Sequence, residues 1–161
     1  KGALLIFLNK TCFRGLFREG KNGFNVPFGN YKKPNIYNKS QLKTLHHLFN
    51  KYQIKFTNGD FETTCIGINT GDFVYFDPPY YPITNTSFTG YNNDGFDSGH
   101  QQLLELCQQL NLKNIKFVHS NSWCTFNTEN YQNFNQEQIQ CKRRINSKKP
   151  GNKIFEIIIY N

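Results

Sequence analysis

Apolar residues recur at helical intervals in three parts of the chain. Leucines and aromatic residues follow the helical period across residues 41–52, with Ser40 as a suitable N-cap, and again across residues 100–110. Residues 1–10 are apolar on nearly all sides. Each of these three segments is predicted to form a helix.

Short apolar runs that end at turn residues predict strands. Residues 72–76 are apolar almost throughout and follow a glycine, which is typical of a central strand buried on both faces. Asn22 and Gly23 predict a hairpin turn between residues 16–18 and 24–26. The remaining predicted strands are residues 53–56, 114–119, 138–143 and 153–160, of which the last two form a terminal antiparallel pair. Strands that alternate with helices predict an α/β fold.

Composition and charge narrow the function. The 161 residues carry 19 Lys and Arg against 11 Asp and Glu, which gives a net charge of +8, and 16% of the residues are aromatic. The basic residues cluster in residues 10–33 and 142–153, which favours an acidic partner such as nucleic acid. No apolar run reaches the roughly 18–20 residues that a membrane span needs, so no membrane partner is expected.

The spacing of cysteines and histidines argues against several kinds of site. The five cysteines are scattered without a CxxC pair, so a zinc ribbon, a redox motif and a disulfide framework are all unsupported. The four histidines show no ligand spacing, and no Gly-x-Ser-x-Gly elbow is present. We expect no metal site, and we expect a cytoplasmic protein because no apolar segment with a cleavage site is found.

One short segment combines the groups that amino-group chemistry needs. Asp77, Pro78, Pro79 and Tyr80 follow a predicted strand, at the carboxyl end where open α/β sheets place their ligand sites. The prolines have no N–H groups and hold the chain rigid, so their carbonyls can face a cleft. Asp77 offers a carboxylate and Tyr80 a ring for stacking, which suits an exocyclic amino group on a flat heterocycle. Hydrogen bonds to that amino group would free its lone pair to attack an electrophilic methyl group.

Further segments accompany this motif along nearly the whole chain. They are residues 7–16, 23–31, 59–61, 74–80, 87–91, 120–122 and 143–146. Together they resemble the Dam-type DNA adenine-N6 methyltransferases. Asp-Pro-Pro-Tyr alone is shared with other amino-methyltransferases, and the Phe-Asn-Val-Pro-Phe-Gly run at residues 24–29 makes the resemblance specific.

The resemblance implies transfer of a methyl group from S-adenosylmethionine to adenine N6 in double-stranded DNA, at a GATC-like site and with the adenine flipped out. It also implies a partial Rossmann-like methyltransferase sheet and a bacterial or phage setting. The implied catalytic residues are Asp77, Pro78, Pro79 and Tyr80. The implied cofactor-binding residues are Asp60, Phe61 and Asp77.

The resemblance also implies a set of DNA contacts. The DNA-binding residues that it implies are Phe13, Arg14, Leu16, Arg18, Pro27, Phe88, Lys142, Arg143 and Arg144. Phe13 would insert near the flipped base, and Arg18 would contact a guanine edge. Arg14 stands where the family often has Asn, which bears on the preferred site. For the late basic residues, solvated charges at a strand edge are the alternative to phosphate contacts.

We divide the chain into a target-recognition region, residues 1–52, with its hairpin, and a catalytic methyltransferase region, residues 53–161. The resemblance places a glycine-rich cofactor loop upstream of the part that residues 1–10 match, and we expect the chain to lack it. Residues 1–161 alone are then expected to bind S-adenosylmethionine weakly or not at all, which calorimetry tests.

Two other functions stay open. A DNA-binding fragment without catalysis is compatible with the expected lack of the cofactor loop. An amino-methyltransferase that acts on cytosine N4, RNA or protein is compatible with Asp-Pro-Pro-Tyr, although the recognition segment at residues 24–29 disfavours it. A glycine-rich loop upstream in the same reading frame would distinguish an enzyme from a binding fragment.

Overall fold

The computed structural model describes residues 1–83, 96–142 and 153–161. The chain divides into two compact units, Lys1–Thr57 and Asn58–Asn161, called the first and the second unit below. Among the described residues, no helix is both long and apolar enough to cross a membrane.

The first unit consists of two helices joined by a small hairpin. Its elements are helix α1 (Gly2–Thr11), a 3-10 turn (Phe13–Gly15), strands β1 (Glu19–Gly20) and β2 (Gly23–Phe24), and helix α2 (Lys39–Lys51). The two strands pair antiparallel around the Asn-Gly turn, with Gly23 at a φ of +88°. Glycine adopts such a φ without the steric cost that a Cβ would add. A hairpin therefore forms at the predicted turn, although its paired residues lie closer to the turn than expected.

Helix α2 differs from its prediction at both ends. Its N-cap is Asn38, whose side chain accepts a hydrogen bond from the Gln41 N–H, so the assignment of Ser40 as the cap was wrong. At the other end Gln53 has a φ of +51°, and the Ile54 N–H donates to the Phe49 carbonyl at 3.1 Å. This is the hydrogen bond of a Schellman helix end. Gln53 and Ile54 therefore belong to the end of helix α2, and the prediction of a strand over residues 53–56 was wrong.

The second unit is a mixed α/β structure. Its elements are α3 (Phe61–Thr64), β3 (Phe73–Phe76), α4 (Asp97–Leu112), β4 (Lys116–Ser122), α5 (Thr125–Asn130), β5 (Asn135–Lys142) and β6 (Lys153–Tyr160). The four strands of its sheet follow the order β3-β4-β6-β5. Strands β3 and β4 are parallel, whereas β6 pairs antiparallel with both β4 and β5. The α/β class and the terminal antiparallel pair are confirmed.

A buried core holds the second unit together. Side chains from β3, β4 and β6 meet apolar residues of helix α4 and the ring of Tyr131. The largest strand contributions are Phe76, Phe117, Ile157 and Ile159. The alternation of side chains along a strand places these four on one face of the sheet.

Strand β3 is less buried than its apolar run predicts. Within the sheet that the described residues form, β3 is an edge strand, and Phe73 and Tyr75 are largely exposed. Phe76 reaches the core, and Val74 packs partly against it. The expectation of a central strand buried on both faces is thus not met by the described part of the chain. Helices α3 and α5 were not predicted, because four and six residues are too few to show a helical period.

Candidate active site at the end of strand β3

The segment that follows β3 borders a cleft in the second unit. The cleft has a volume of about 290 Å³. Its lining residues are Phe61, Tyr75, Phe76, Asp77, Pro78, Pro79, Phe96 and Leu103. Three of the four predicted catalytic residues and two of the three predicted cofactor-binding residues, Phe61 and Asp77, therefore share one cavity. Apart from the Asp77 carboxylate, its walls are formed mainly by apolar and aromatic side chains.

The carboxylate of Asp77 is tied to the neighbouring strand. Phe76 pairs with His119 in the parallel ladder between β3 and β4, so Asp77 and Ser120 follow at the same end of the sheet. The Ser120 hydroxyl donates to Asp77 Oδ1 at 3.1 Å and has the Phe76 carbonyl within 3.4 Å. Ser120 Oγ also accepts from the Tyr75 hydroxyl at 3.1 Å. These contacts fix the carboxylate at the rim of the cleft.

Tyr80, the fourth predicted catalytic residue, is half-buried. Its hydroxyl donates to Glu156 Oε2 at 3.5 Å, which is at the long limit of a hydrogen bond. Burial raises the pKa of Tyr80, and this effect, with that of the nearby Glu156 and Asp77 carboxylates, outweighs the lowering by a hydrogen bond with Ser120. The phenol therefore stays protonated at neutral pH.

A series of contacts between aromatic rings begins at the cleft and extends through the second unit. The Phe61 and Phe96 rings lie 6.0 Å apart, and Phe96 meets His100 edge-on at 4.9 Å. Beyond them, Tyr81 stacks on Phe126 at 4.3 Å with an interplanar angle of 8°. Offset and edge-to-face contacts of this kind hold rings in defined orientations. The predictions did not single out Phe96 and Phe126, and neither has a local sequence signal beyond its aromatic type.

Of the three predicted cofactor-binding residues, Asp77 is described above, and Phe61 and Asp60 occupy different positions. Phe61 lines the cleft. Asp60 caps helix α3, where its carboxylate accepts from the Glu62 N–H at 3.2 Å. The cap sets the direction in which α3 begins, and so it positions the Phe61 ring in the next residue.

The predicted base-contacting residues lie on the surface of the first unit. Arg18 is held by Asn25, since its Nε donates to Asn25 Oδ1 at 2.7 Å and one terminal nitrogen donates to the Asn25 carbonyl at 3.1 Å. Phe13 and Leu16 expose about half of their surface. The Arg14 guanidinium lies 5.2 Å from the centre of the Phe13 ring. These side chains are displayed to solvent, as a DNA-contacting set requires.

The remaining predicted DNA-binding residues are Pro27, Phe88, Lys142, Arg143 and Arg144. The Phe13 N–H donates to the Pro27 carbonyl at 2.8 Å, which links Pro27 to the recognition segment. Lys142 ends strand β5. Phe88, Arg143 and Arg144 lie outside the described residues.

The mixed sheet and its cleft define a class of protein. Parallel strands β3 and β4 end side by side, and the cleft opens at their carboxyl ends, where α/β proteins bind ligands. The family model for D12 class N6 adenine-specific DNA methyltransferases matches residues 2–145. The chain belongs to this family.

Named relatives agree with the family match. The chain is 39% identical to the Type II methyltransferase M1.LlaDCHI of Lactococcus lactis subsp. cremoris over 165 residues, which cover 100% of the chain and 58% of that protein. It is 40% identical to the Type II methyltransferase M.MjaIII of Methanocaldococcus jannaschii, with 99% and 56% covered. It is 31% identical to the DNA adenine methylase of Escherichia coli K12, with 91% and 53% covered. The chain thus spans somewhat more than half the length of these curated relatives.

Proposed function

We propose that the protein containing this chain transfers a methyl group from S-adenosylmethionine to N6 of an adenine in double-stranded DNA. The proposal rests on family membership and, above all, on the Asp77 carboxylate held at the rim of an aromatic cleft. An adenine inside a duplex cannot reach such a cleft, so the base would be flipped out. The cytoplasm of a bacterium or of a phage-infected cell is the proposed location.

The residues after β3 would activate the amino group. The Asp77 carboxylate and the Pro78 carbonyl would each accept one of its hydrogens. Two acceptors in this arrangement hold the two amino hydrogens. The lone pair of N6 is thereby taken out of conjugation with the ring and localised on the nitrogen. Tyr80 would stack on the base, and Pro79 would keep the turn rigid because its φ is fixed.

The cleft suits a cofactor with a flat heterocycle. Phe61 and Phe96 offer ring faces, and Asp77 offers an acceptor for hydroxyl or amino groups. S-adenosylmethionine supplies an electrophilic methyl group when it is bound. Phe61 and Asp77 would hold it directly, and Asp60 would contribute through the start of helix α3.

The first unit would select the DNA site. Arg18 would donate to a guanine edge, and Phe13, Leu16 and Pro27 would make apolar contacts with bases. Asn25 engages one edge of the Arg18 guanidinium and leaves the other terminal nitrogen for a base. Arg14 would act near the target base. We propose a GATC-like site, with phosphate contacts from Lys142, Arg143 and Arg144 and a loop contact from Phe88.

The test uses the protein expressed from its complete reading frame. Methyl-sensitive restriction of host DNA and nucleoside analysis of the product should show N6-methyladenine. Asp77→Ala should lower the methylation rate at least about 100-fold, because it removes a fixed charge at the reacting group. Asp72→Ala, at the opposite end of β3, is the matched control and should retain activity.

The outcomes also separate the two alternatives. Sequence-specific DNA binding without methylation by the unmodified protein would indicate an inactive binding protein. N4-methylcytosine as the product would indicate the other amino-methyltransferase class. Methylation that persists in Asp77→Ala would refute the role assigned to Asp77.

A further inference from the structure

Two polar residues near the end of strand β4 are buried. Ser120 is 3% exposed and Asn121 is 0% exposed. A buried hydroxyl and a buried amide each cost free energy unless they are hydrogen-bonded. Both residues form hydrogen bonds with the segment from Asp77 to Tyr81, which follows the neighbouring strand β3.

Ser120 holds the start of that segment. Its hydroxyl donates to Asp77 Oδ1 at 3.1 Å while its oxygen accepts from the Tyr75 hydroxyl at 3.1 Å. The Ser120 proton then has two acceptors, Asp77 Oδ1 at 3.1 Å and the Phe76 carbonyl at 3.4 Å, and the shorter contact, to a charged oxygen, is the stronger one. The carboxylate is thereby held in one orientation, although Asp77 itself is exposed.

Asn121 holds the end of the segment. Its Oδ1 accepts from the Tyr81 N–H at 2.7 Å and from the Ser122 N–H at 2.8 Å. Two backbone donors on one side define which end of the amide is the oxygen, so Nδ2 must face His119 Nε2 at 3.1 Å. His119 therefore accepts at Nε2 and carries its proton on Nδ1.

The two prolines explain why the segment needs hydrogen bonds from outside. Pro78 and Pro79 have no N–H groups, so the segment has no backbone donor at these two positions. It cannot be anchored there by backbone hydrogen bonds from its own N–H groups. Ser120 at one end and Asn121 at the other supply the anchors that the prolines cannot.

We propose that Ser120 and Asn121 form a positioning pair that clamps the segment from Asp77 to Tyr81, so that the Asp77 carboxylate and the Pro78 carbonyl face the reacting amino group. The consequence for catalysis rests on the proposed function. Neither residue is catalytic, because each acts through the segment it holds. A loss of the pair should therefore change the rate of methyl transfer more than the binding of either substrate.

The kinetic test compares two serines of the same strand. Ser120→Ala removes the donor to Asp77, whereas Ser122→Ala makes the same chemical change two residues further along β4, at a similarly buried position. In the protein from the complete reading frame, Ser120→Ala should lower kcat about 10- to 100-fold, since small displacements of a reacting group have effects of this size. KM for DNA and for S-adenosylmethionine should change less than about twofold. Ser122→Ala should match the unmodified protein, and Ser120→Thr should recover part of the lost rate because it keeps the hydroxyl.

A second measurement does not depend on methylation. Hydrogen exchange at the Tyr81 amide should be protected in the unmodified protein and in Ser122→Ala, and it should become faster in Asn121→Ala. If Asn121→Ala does not fold, exchange at the Tyr81 amide is measured in Asn121→Ser instead. The kinetic comparison of Ser120→Ala with Ser122→Ala then tests the positioning pair independently.

The results distinguish this inference from the proposed function. Adenine methylation with equal kcat in Ser120→Ala and Ser122→Ala, or unchanged exchange at Tyr81 in a folded Asn121 variant, would overturn the positioning pair and leave the proposed function intact. An unmodified protein without methyltransferase activity would overturn the proposed function and the catalytic consequence together. Exchange at Tyr81 would still decide whether the pair holds the segment.

Discussion

The two units of the chain hold the side chains that we propose to be functional in different ways. In the second unit, Asp77 is tied through Ser120 to a strand whose neighbouring residues lie in a packed core. In the first unit, Arg18 is held by Asn25 through two surface hydrogen bonds. The buried residues of the first unit are Thr11, Cys12 and Val26. One unit positions its groups by packing, and the other by local turn and hairpin contacts.

This difference predicts two kinds of response to mutation. A change in the core of the second unit should lower the free energy of unfolding and displace the cleft with it. A change on the hairpin should alter binding and leave stability nearly unchanged, because exposed side chains contribute little to folding. The predictions below test that division, from the largest expected effect to the smallest.

Two phenylalanines provide the sharpest test. Phe117 is 1% exposed and packs against Phe134 at 5.2 Å, whereas Phe17 in the first unit is 58% exposed. Phe117→Ala should lower the free energy of unfolding by about 3–5 kcal/mol, since it removes buried area and leaves a cavity. Phe17→Ala should change it by less than about 1 kcal/mol. Urea unfolding measures both, and equal losses would refute the division between the units.

A buried histidine makes the second unit sensitive to acid. Burial, together with the neighbouring His100, lowers the pKa of His119 to about 3. An unfolded histidine titrates near 6.5, so between pH 6.5 and pH 3 the unfolded chain binds the extra proton. The stabilisation is fully present above about pH 6.5 and is lost as the pH falls toward 3.

The expected size of this effect is about 2 kcal/mol between pH 7 and pH 5, at about 1.4 kcal/mol for each pH unit below 6.5. The measurement is urea unfolding at both pH values for the unmodified protein and for His119→Gln, which keeps an acceptor for Asn121. The exposed His47, replaced by Gln, is the control and should show the unmodified pH dependence. A similar loss on acidification in His119→Gln would mean that other groups cause it.

The fold class and the position of the segment that lines the cleft could be predicted because both depend on local signals. The apolar run before Asp77 is followed by two prolines, and an apolar strand that stops in this way predicts a site at its carboxyl end. Of the terminal pair, β6 is marked by its apolar residues, and Pro150 and Gly151 mark the connection to β5 in the sequence. Such signals require no knowledge of which strands are neighbours.

The contacts of Ser120 and Asn121 could not be predicted in the same way. They exist because β3 and β4 pair with Phe76 opposite His119, and the sequence does not specify that register. The position of β3 at the edge of the described sheet depends on strand order for the same reason. At residues 53–56, a positive φ at Gln53 ended the helix where the apolar pattern alone indicated a strand.

Arg18 and Asn25 test the hairpin as a recognition element. Arg18→Ala should cost about 1–3 kcal/mol of discrimination between the preferred base pair and its replacements, because a guanine contact of this kind carries that much specificity. Asn25→Ala should give a smaller loss in the same direction, since it releases the Arg18 guanidinium. Competition binding with base-substituted duplexes measures both.

The control for this prediction is Lys21→Ala, which removes a positive charge at the hairpin turn. It should weaken binding to all duplexes equally and reduce the salt dependence, as loss of a phosphate contact does. The free energy of unfolding should change by less than about 0.5 kcal/mol in each variant. Specificity that survives Arg18→Ala would place base recognition elsewhere in the protein.

The smallest expected effect concerns the cap of helix α2. Asn38 Oδ1 accepts from the Gln41 N–H at 3.1 Å and from the Ser40 hydroxyl at 2.7 Å. Asn38→Ala should destabilise the helix by about 1 kcal/mol, whereas Asn38→Asp should retain the cap. Ser40→Ala should cost less, because Ser40 donates to the cap and is not the cap itself. Hydrogen exchange across α2 measures the local change, and a larger effect of Ser40→Ala than of Asn38→Ala would return the cap to Ser40. Because the first unit is held by such contacts, the loss should stay within α2 and leave exchange in β4 unchanged.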